Sequence, residues 1–177
     1  MTIEEAQADM RRAYVGGGPG AIVSGLVWLA AAWVAAARGV PTAFAVLFVG
    51  GMLIFPLATF VCRALFRCAG EAADNRLGRN ALESTIAMIG GLFAAWLMLP
   101  FRPEWVFPLA AIAVGTHYFA FRTVYGDALF WVLGGLITLV GAAAIYAPGV
   151  VLGGPALLVG LVEIGFGAVL IARARRA

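Results

Sequence analysis

The chain has 177 residues, of which 63% are hydrophobic and 12% are charged. Soluble domains are about 45–50% apolar and about 25% charged, and a soluble fold of this length could not enclose so much apolar surface. The formal net charge of +3 comes from twelve arginines, no lysines and nine acidic residues. The arginines lie at the ends of apolar runs and form no basic stripe or patch, so the charge does not indicate a nucleic-acid partner. The composition predicts helices that are solvated by a lipid bilayer.

The apolar runs predict six membrane-spanning helices. A transmembrane helix needs roughly 20 apolar residues to cross about 30 Å of hydrocarbon. Residues 128–172 hold a single charge, Glu163, and at about 1.5 Å per residue they are too long for one crossing. We therefore place a turn at Ala147-Pro148-Gly149, where proline and glycine interrupt a helix. The predicted spans are 14–37, 41–62, 84–100, 105–122, 128–147 and 150–172, with a connecting loop over 63–83.

Arginine placement predicts the orientation. With six spans, ten arginines fall on one side and only Arg38 and Arg102 fall on the other. The positive-inside rule then puts both termini and the 63–83 loop in the cytoplasm. Mixed charges within that loop predict a short interfacial helix on the cytoplasmic leaflet. The predicted fold class is all-α: a single domain over residues 1–177, folded as a polytopic bundle of six transmembrane helices.

Glycine and proline predict details of helix packing. Small residues recur within the spans, as at Gly90-Gly91 and Gly134-Gly135, and they allow helix backbones to approach closely. Pro56 and Pro108 fall inside apolar spans and predict kinks. The run Gly16-Gly17-Gly18-Pro19-Gly20 resembles a phosphate-binding loop only superficially, because no Gly-Lys-Ser/Thr follows it. We interpret it as a flexible lead into the first span.

Glu163 is the most informative residue for function. It lies ten positions before Arg173, which places it about 15 Å from the cytoplasmic boundary and near mid-membrane. A charged side chain at that depth costs at least about 2.5–3.5 kcal/mol, so intramembrane acids usually face a cavity or a partner. Two interpretations remain: an acid that binds a proton or a ligand, or a structural acid that hydrogen-bonds two helices together.

The single histidine, His117, lies in the fourth span, five residues before Arg122. A pair with Glu163 would be a proton-responsive element if the fourth and sixth spans touch. A histidine that is hydrogen-bonded within the bundle is the alternative. Tyr118, Arg122 and Asp127 lie toward the cytoplasmic end of the same span and its loop, where they fit either the lining of an entrance or interfacial anchors.

The candidate ligand- or proton-binding residues are His117, Glu163, Tyr118, Arg122, Asp127 and Glu83. Glu83 opens the third predicted span, where it also complements the positive end of a helix. Cys62 and Cys68, with one histidine near neither, make no zinc pattern, so we predict no metal and no cofactor. No nucleophile elbow, metalloprotease pair or acidic diad is present in the sequence, and no catalytic residue is assigned.

Several short motifs together resemble a family of small bacterial six-helix integral membrane proteins of unknown function. The motifs are Phe55-Pro56-Leu57-Ala58, Asn75-x-Leu77-Gly78, Gly115-x-His117 with Tyr125 shortly after, and an acid in the last span, here Glu163. The chain departs from the family's pattern at Arg76, where proline is expected, and at Thr116, where a small residue is expected. The resemblance implies a six-helix fold and supplies no activity. Together with the absence of lysine, which is typical of GC-rich bacterial genomes, it implies the bacterial cytoplasmic (inner) membrane.

Three functions are compatible with these observations. The leading hypothesis is that the protein binds or transports a small molecule, a lipid or a proton through a polar core around His117 and Glu163. The alternative is a non-catalytic structural or regulatory protein that partners other membrane proteins through its small-residue faces. The third is an intramembrane enzyme that acts on a lipid or isoprenoid, which requires a deep apolar pocket at Glu163. Apart from other membrane proteins, the expected partners are the lipid bilayer, a small-molecule or lipid ligand, and a second copy of the chain in a homo-oligomer.

Overall fold

Residues 1–176, which the computed structural model describes, fold into seven α-helices. The helices are α1 (Ile3–Tyr14), α2 (Gly18–Arg38), α3 (Val40–Ala64), α4 (Leu77–Leu97), α5 (Val106–Tyr125), α6 (Leu129–Tyr146) and α7 (Pro155–Ala174). Three short 3-10 turns lie at Val15–Gly17, Pro103–Trp105 and Pro148–Val150. The all-α fold class is confirmed.

Within this described part, five helical segments are long and apolar enough to cross a membrane. They are Ile3–Arg38, Val40–Ala64, Leu77–Leu97, Leu129–Tyr146 and Pro155–Ala174. The helix α5 is not among them, although it covers the predicted span 105–122 and its 20 residues make it about 30 Å long. Polar side chains such as His117 and Arg122 lower its mean hydropathy.

The burial of α5 explains why it is more polar than its neighbours. It contacts α1, α4, α6 and α7, and ten of its residues are buried. The outer helices α3 and α4 instead expose large apolar side chains, including Phe55 and Phe60 on α3 and Ile86 and Phe93 on α4. Side chains of α5 therefore meet protein, whereas the outer faces of α3 and α4 suit an apolar solvent.

The helices form two groups of three. In the first group α2 packs between α3 and α7, and in the second group α5 packs between α4 and α6. The two groups meet where α7 contacts α5 and α6, and where Trp28 of α2 approaches Phe107 of α5 with a distance of 6.2 Å between ring centroids. The fourth and sixth predicted spans, α5 and α7, are thus in contact.

In the first group, α2 and α7 pack antiparallel with their backbones touching. A Cβ atom added at Gly18 would lie 2.7 Å from the carbonyl oxygen of Gly167, and one added at Gly25 would lie 2.7 Å from that of Gly160. On each helix the two glycines are seven residues apart, which places them on one face. Small residues make this close approach possible.

In the second group, α5 and α6 meet in the same way. A Cβ added at Gly115 would lie 2.8 Å from the carbonyl oxygen of Gly134. Only one glycine of each doublet packs against a neighbour: Gly91 faces Ala113 at 2.7 Å, while nothing lies within 4 Å of a Cβ added at Gly90 or at Gly135. The glycine doublets therefore predict packing faces, but half of their glycines point away from the bundle.

Two helix starts and one proline kink differ from the prediction. The helix α4 begins at Leu77 instead of near residue 84, because Asn75 Oδ1 accepts a hydrogen bond from the Leu77 N–H at 3.0 Å and satisfies an amide that the first turn leaves free. The helix α7 begins at Pro155 instead of 150, because the turn after α6 continues through Pro148–Val150. Pro108 falls in the first turn of α5, where a missing N–H costs nothing, so the kink predicted there is wrong.

The segment before α2 is an ordered kink and not a flexible lead. It is preceded by α1, an amphipathic helix that the sequence interpretation missed. The residues that α1 buries are Ala6, Met10 and Ala13. Three consecutive residues then adopt positive φ angles: 51° at Val15, 63° at Gly16 and 80° at Gly17. Glycine adopts this region freely, whereas β-branched Val15 is strained there.

Residues 65–76 connect α3 to α4 as a loop, so the interfacial helix predicted in this connection is wrong. The backbone of the loop bonds to α1. Asp9 accepts a hydrogen bond from the Ala72 N–H at 2.8 Å, and Arg12 donates to the Gly70 carbonyl at 3.1 Å. Asn75 donates to the Asp9 carboxylate at 2.9 Å. Backbone groups that a helix would have paired internally are used instead to hold α1 in place.

The helix directions place ten of the twelve arginines at one end of the bundle, which we call the arginine-rich end. The helix α1 and the 65–76 loop form a layer across this end. The last turn of α5 lies beneath the layer, where two of its carbonyl groups accept side-chain hydrogen bonds from α1: Thr123 from Gln7 at 2.8 Å, and Tyr125 from Arg11 at 2.5 Å. The docked α1 thus caps the end of α5.

Acid is expected to loosen this layer. Hydrogen bonds from Asn75 and from the Ala72 amide, with Arg12 alongside, lower the pKa of Asp9 below its usual value of 3.8. The stabilisation from ionised Asp9 is therefore present above that value and is lost as the pH falls through the lowered pKa. The hydrogen-exchange protection factors of the α1 amides, which compare the observed with the intrinsic exchange rates, should fall over that pH range. An Asp9→Asn variant should lose this acid-dependent step, and an unchanged step would contradict the assignment.

Candidate functional site

Glu163 lies on the face of α7 that packs against α2. Gly160 and Gly167, three residues before it and four after it, are the two close contacts of α7 with the α2 backbone, so Glu163 is held between them on the same helix face. Its side chain is 0% exposed. The close backbone contacts on both sides leave a carboxyl group in the interior of the bundle, at the point where α7 also meets α5.

The carboxyl group of Glu163 has one direct hydrogen bond. Tyr118 Oη, on α5, donates to Glu163 Oε1 at 2.9 Å, and both side chains are buried. Ser24, on α2, is buried beside the pair, and its hydroxyl is not hydrogen-bonded to Glu163 Oε2. Among the described residues Glu163 Oε2 has no hydrogen-bond partner. The three side chains join α2, α5 and α7, and we call them the acid node (Ser24, Tyr118 and Glu163).

Aromatic side chains separate the acid node from the arginine-rich end. Tyr118 stacks on Phe130, with ring centroids 6.3 Å apart and an interplanar angle of 20°. Phe130 in turn stacks on Tyr125, at 5.1 Å and 18°. Gly17, in the kink above, lies against the Tyr125 and Phe130 rings, each 3.0 Å from the position of a Cβ. We call the three rings the aromatic stack (Tyr118, Phe130 and Tyr125); it runs from the kink to Glu163.

Toward the opposite end, Trp28 and Phe107 form a second aromatic layer. Trp28 lies one turn beyond Ser24 on α2 and is 1% exposed, and Phe107 is 6% exposed. Aromatic rings thus lie on both sides of the acid node along the bundle. A carboxyl group between two such layers is separated from water at both ends, although its own second oxygen is left without a partner.

His117 belongs to a different site from Glu163. Its Nδ1 lies 2.6 Å from Ser84 Oγ on α4, and the same hydroxyl lies 3.3 Å from the His117 carbonyl oxygen. Its ring also packs edge-on against Phe121, at 4.5 Å between centroids. Because His117 and Tyr118 are consecutive residues on α5, they face different neighbours: His117 faces α4 and Tyr118 faces α7. In the described structure His117 and Glu163 share no hydrogen bond, so the pairing hypothesis is replaced by Tyr118–Glu163.

The remaining candidates lie at the arginine-rich end, away from the acid node. The Arg122 guanidinium lies 5.7 Å from the Trp131 ring centroid. Asp127 Oδ1 accepts a hydrogen bond from the Leu129 N–H at 2.9 Å and lies 3.3 Å from Arg173 Nη1. These contacts fit interfacial anchors better than an entrance lining. Glu83 is exposed and lies more than one turn inside α4, so it does not open that helix as predicted.

Two surface depressions lie at the ends of the bundle. One, of about 600 Å³, is lined by the end of the 65–76 loop and the start of α4. The other, of about 340 Å³, lies at the opposite end beside Arg102, Trp105 and Pro155. Neither is lined by Glu163 or His117, so they offer no support to an enzyme with Glu163 as general acid. No group of three His, Cys, Asp or Glu side chains within residues 1–176 is placed to hold a metal ion.

Sequence reasoning missed three polar side chains with clear roles. Ser24 and Ser84 were passed over because single serines are common within apolar helices, where they bond to the backbone of their own helix. Asp9 was missed because the helix that carries it was not predicted. Asn75 was noted only within a family motif; the structure shows that it joins the 65–76 loop to α1 and caps α4.

Comparison with known proteins shows the family of this chain and no activity. No curated protein matches it, and no solved structure matches it. A family described as being of unknown function, DUF7010, matches residues 3–173. The match covers nearly the whole chain and agrees with the resemblance to a small membrane-protein family of unknown function. The chain belongs to the DUF7010 family.

Proposed function

We propose that this chain is a six-span protein of the bacterial cytoplasmic membrane, with α2 to α7 as the spans and the arginine-rich end in the cytoplasm. The exposed apolar side chains of α3 and α4 support a lipid environment. The spans place ten arginines on one side and two on the other, as the positive-inside rule requires of the cytoplasmic side. Under this proposal α5 is the fourth of the six spans, and it is more polar than the others because the other helices surround it.

Within that frame, we propose that the protein binds a proton at Glu163 and moves it across the membrane, alone or together with a small solute. The observation that carries this proposal is the placement of a fully buried carboxyl group with one unpartnered oxygen where three spans meet. A structural acid would be expected to use both oxygens, since a buried unpaired polar atom costs about 1–3 kcal/mol. Such a cost is commonly kept at a functional position.

The closed bundle surrounds Glu163 with apolar side chains. An isolated carboxylate in an apolar interior is strongly disfavoured, and among the described residues the one direct hydrogen bond to the group comes from the Tyr118 hydroxyl. Ionisation therefore requires water or a cation to reach the group, which requires the helices around it to separate. Proton release is in this way coupled to a change of helix packing, and that coupling is what a proton-driven carrier needs.

Proton movement through reconstituted protein tests the proposal. Purified protein in liposomes that contain a trapped pH dye is given a potassium diffusion potential, and acidification or alkalinisation of the interior is followed. We expect Glu163→Gln, which keeps the shape and removes the titratable proton, to reduce the protein-dependent flux to the rate of empty liposomes. Glu83→Gln removes an exposed acid from α4 and is the matched control, with wild-type flux expected.

His117 enters the same experiment as a second position. It is the one titratable side chain next to Tyr118 on α5, and its bond to Ser84 leaves its other ring nitrogen free to exchange a proton. We expect His117→Ala to lower the flux while the protein stays folded. Wild-type flux from Glu163→Gln would overturn the proposal, because the buried acid would then not be needed; wild-type flux from His117→Ala would remove His117 from it.

A further inference from the structure

We propose that α1 is a cytoplasmic latch: when docked, it keeps the aromatic stack closed over Glu163, and when released, it admits water to Glu163 from the arginine-rich end. The inference rests on the proposed function, in that it names how access to the same acid is regulated. Three features support it: the contacts of α1, the backbone conformation of the kink, and the order of the rings in the aromatic stack beneath the kink.

The contacts that hold α1 combine a small apolar face with several hydrogen bonds. Three small or flexible apolar side chains of α1 are buried, whereas its fixed orientation comes from hydrogen bonds to the end of α5 and to the 65–76 loop. Arg11 holds the Tyr125 carbonyl, Gln7 holds the Thr123 carbonyl, and Asp9 holds the loop. Hydrogen bonds at a water-accessible end contribute about 0.5–1.5 kcal/mol each, so this layer is weaker than the glycine-packed helix pairs below it.

The kink between α1 and α2 has a strained backbone that relaxes when α1 is released. Three consecutive left-handed residues interrupt the helix between α1 and α2, and Val15 is strained in that conformation. The strain persists only while the docking contacts of α1 hold it. Release of α1 lets Val15 return to an ordinary backbone region without disturbing α2, which begins at Gly18. Gly16 and Gly17 supply the freedom for that movement.

The kink and α1 both act on Tyr125, the outermost ring of the aromatic stack. Arg11 binds the backbone of Tyr125 from above, and Gly17 lies against its ring. Tyr125 stacks on Phe130, and Phe130 stacks on Tyr118, whose hydroxyl binds Glu163. When α1 leaves, Tyr125 loses the hydrogen bond from Arg11 to its carbonyl group and the packing of Gly17 against its ring. The rings of the aromatic stack are then the side chains that separate cytoplasmic water from the acid node.

Thiol labelling beside Glu163 measures access directly. Ser24→Cys places a thiol in the acid node, in a background in which Cys62→Ala and Cys68→Ala remove the natural thiols. A charged, membrane-impermeant thiosulfonate reagent is applied to sealed vesicles from either side. The latch is released with the Asp9→Ala/Arg11→Ala double variant, and Glu4→Ala, an exposed acid on the outer face of α1, is the matched control.

We expect the double variant to be labelled about tenfold faster than the parent from the cytoplasmic side, because release raises the population of the open state. Labelling from the opposite side should not change, and Glu4→Ala should behave as the parent. An unchanged cytoplasmic rate, with α1 shown by hydrogen exchange to be undocked, would overturn the latch. Equal acceleration from both sides would also overturn it, since that result indicates general loosening.

A milder variant and a comparison of labelling with proton flux show which of the two proposals a result contradicts. The double variant could lose its cooperative thermal transition, and Gln7→Ala then replaces it. This variant removes only the bond to Thr123. We expect a smaller increase in the cytoplasmic labelling rate and the same rate from the opposite side, and an unchanged cytoplasmic rate would overturn the latch. Labelling reports access to residue 24 and does not require that Glu163 move a proton across the membrane. A latch that controls labelling while Glu163→Gln keeps wild-type flux would therefore contradict the proposed function alone, and normal proton flux with ungated labelling would contradict the latch alone.

Discussion

Replacing Gly25 with leucine is expected to destabilise the bundle strongly. A Cβ at this position would lie 2.7 Å from the Gly160 carbonyl oxygen and 3.1 Å from the Ile164 amide nitrogen. Both are backbone atoms of α7, so they cannot move without moving the helix. Overpacking in a well-packed core costs about 1–3 kcal/mol and occasionally more; a leucine forced between two backbones belongs at the upper end, about 3 kcal/mol or more.

The loss should extend beyond α2 and α7. The close approach at Gly25 and Gly18 is what holds Ser24 and Glu163 in the same layer. Separating the two helices therefore also pulls the Glu163 carboxyl away from the α5 hydroxyl that binds it. Gly25→Ala, which adds only the Cβ, should give a smaller loss of the same kind, because α7 needs to shift less.

A glycine elsewhere on α7 provides the control. Gly165 has nothing within 4 Å of an added Cβ, so Gly165→Leu adds the same side chain to an outward face. Because glycine costs a helix about 1 kcal/mol relative to better helix formers, this variant should be as stable as the parent or more stable. Reversible unfolding in mixed detergent, followed by circular dichroism, gives both values. Equal stability of Gly25→Leu and Gly165→Leu would contradict the backbone contact.

The sequence predicts the helices well because each depends on its own composition. Runs of about 20 apolar residues with arginine at their ends have one stable arrangement in lipid, and α2, α3, α6 and α7 follow the predicted spans to within a few residues. The errors fall where a distant segment decides the local structure. The helix α4 starts early, at Leu77, where the Asn75 side chain accepts a hydrogen bond from the first amide of the helix, and the 65–76 loop is not helical because α1 takes its hydrogen bonds.

The candidate site was predicted in part. Glu163 stands out in sequence because a charge in a long apolar run is costly wherever the run packs. Its partner does not stand out, because His117 and Tyr118 are adjacent on one helix, and only the rotation of α5 decides which of them faces α7. That rotation is fixed by glycine contacts with α6, such as Gly115 against Gly134, which no local pattern in α5 reveals.

Removing both members of the Tyr118–Glu163 pair is expected to leave a stable protein that moves no protons. Glu163→Leu alone leaves the Tyr118 hydroxyl without an acceptor in a dry interior, and Tyr118→Phe alone takes away the direct bond to Glu163 Oε1. Each single variant should lose about 1–3 kcal/mol through the buried group that is left unpaired. In the double variant Glu163→Leu/Tyr118→Phe both polar groups are replaced by apolar groups of similar size, and the loss should largely disappear.

The double-mutant cycle separates a working acid from a structural one. If the pair served only to hold α5 against α7, the double variant would recover both stability and flux, since the apolar pair would hold the two helices as the hydrogen bond did. If the pair is kept for proton binding at a cost in stability, the double variant will match or exceed the parent in detergent unfolding while its flux in liposomes falls to the background. Stability and flux then move in opposite directions, which a structural bond between two helices does not produce.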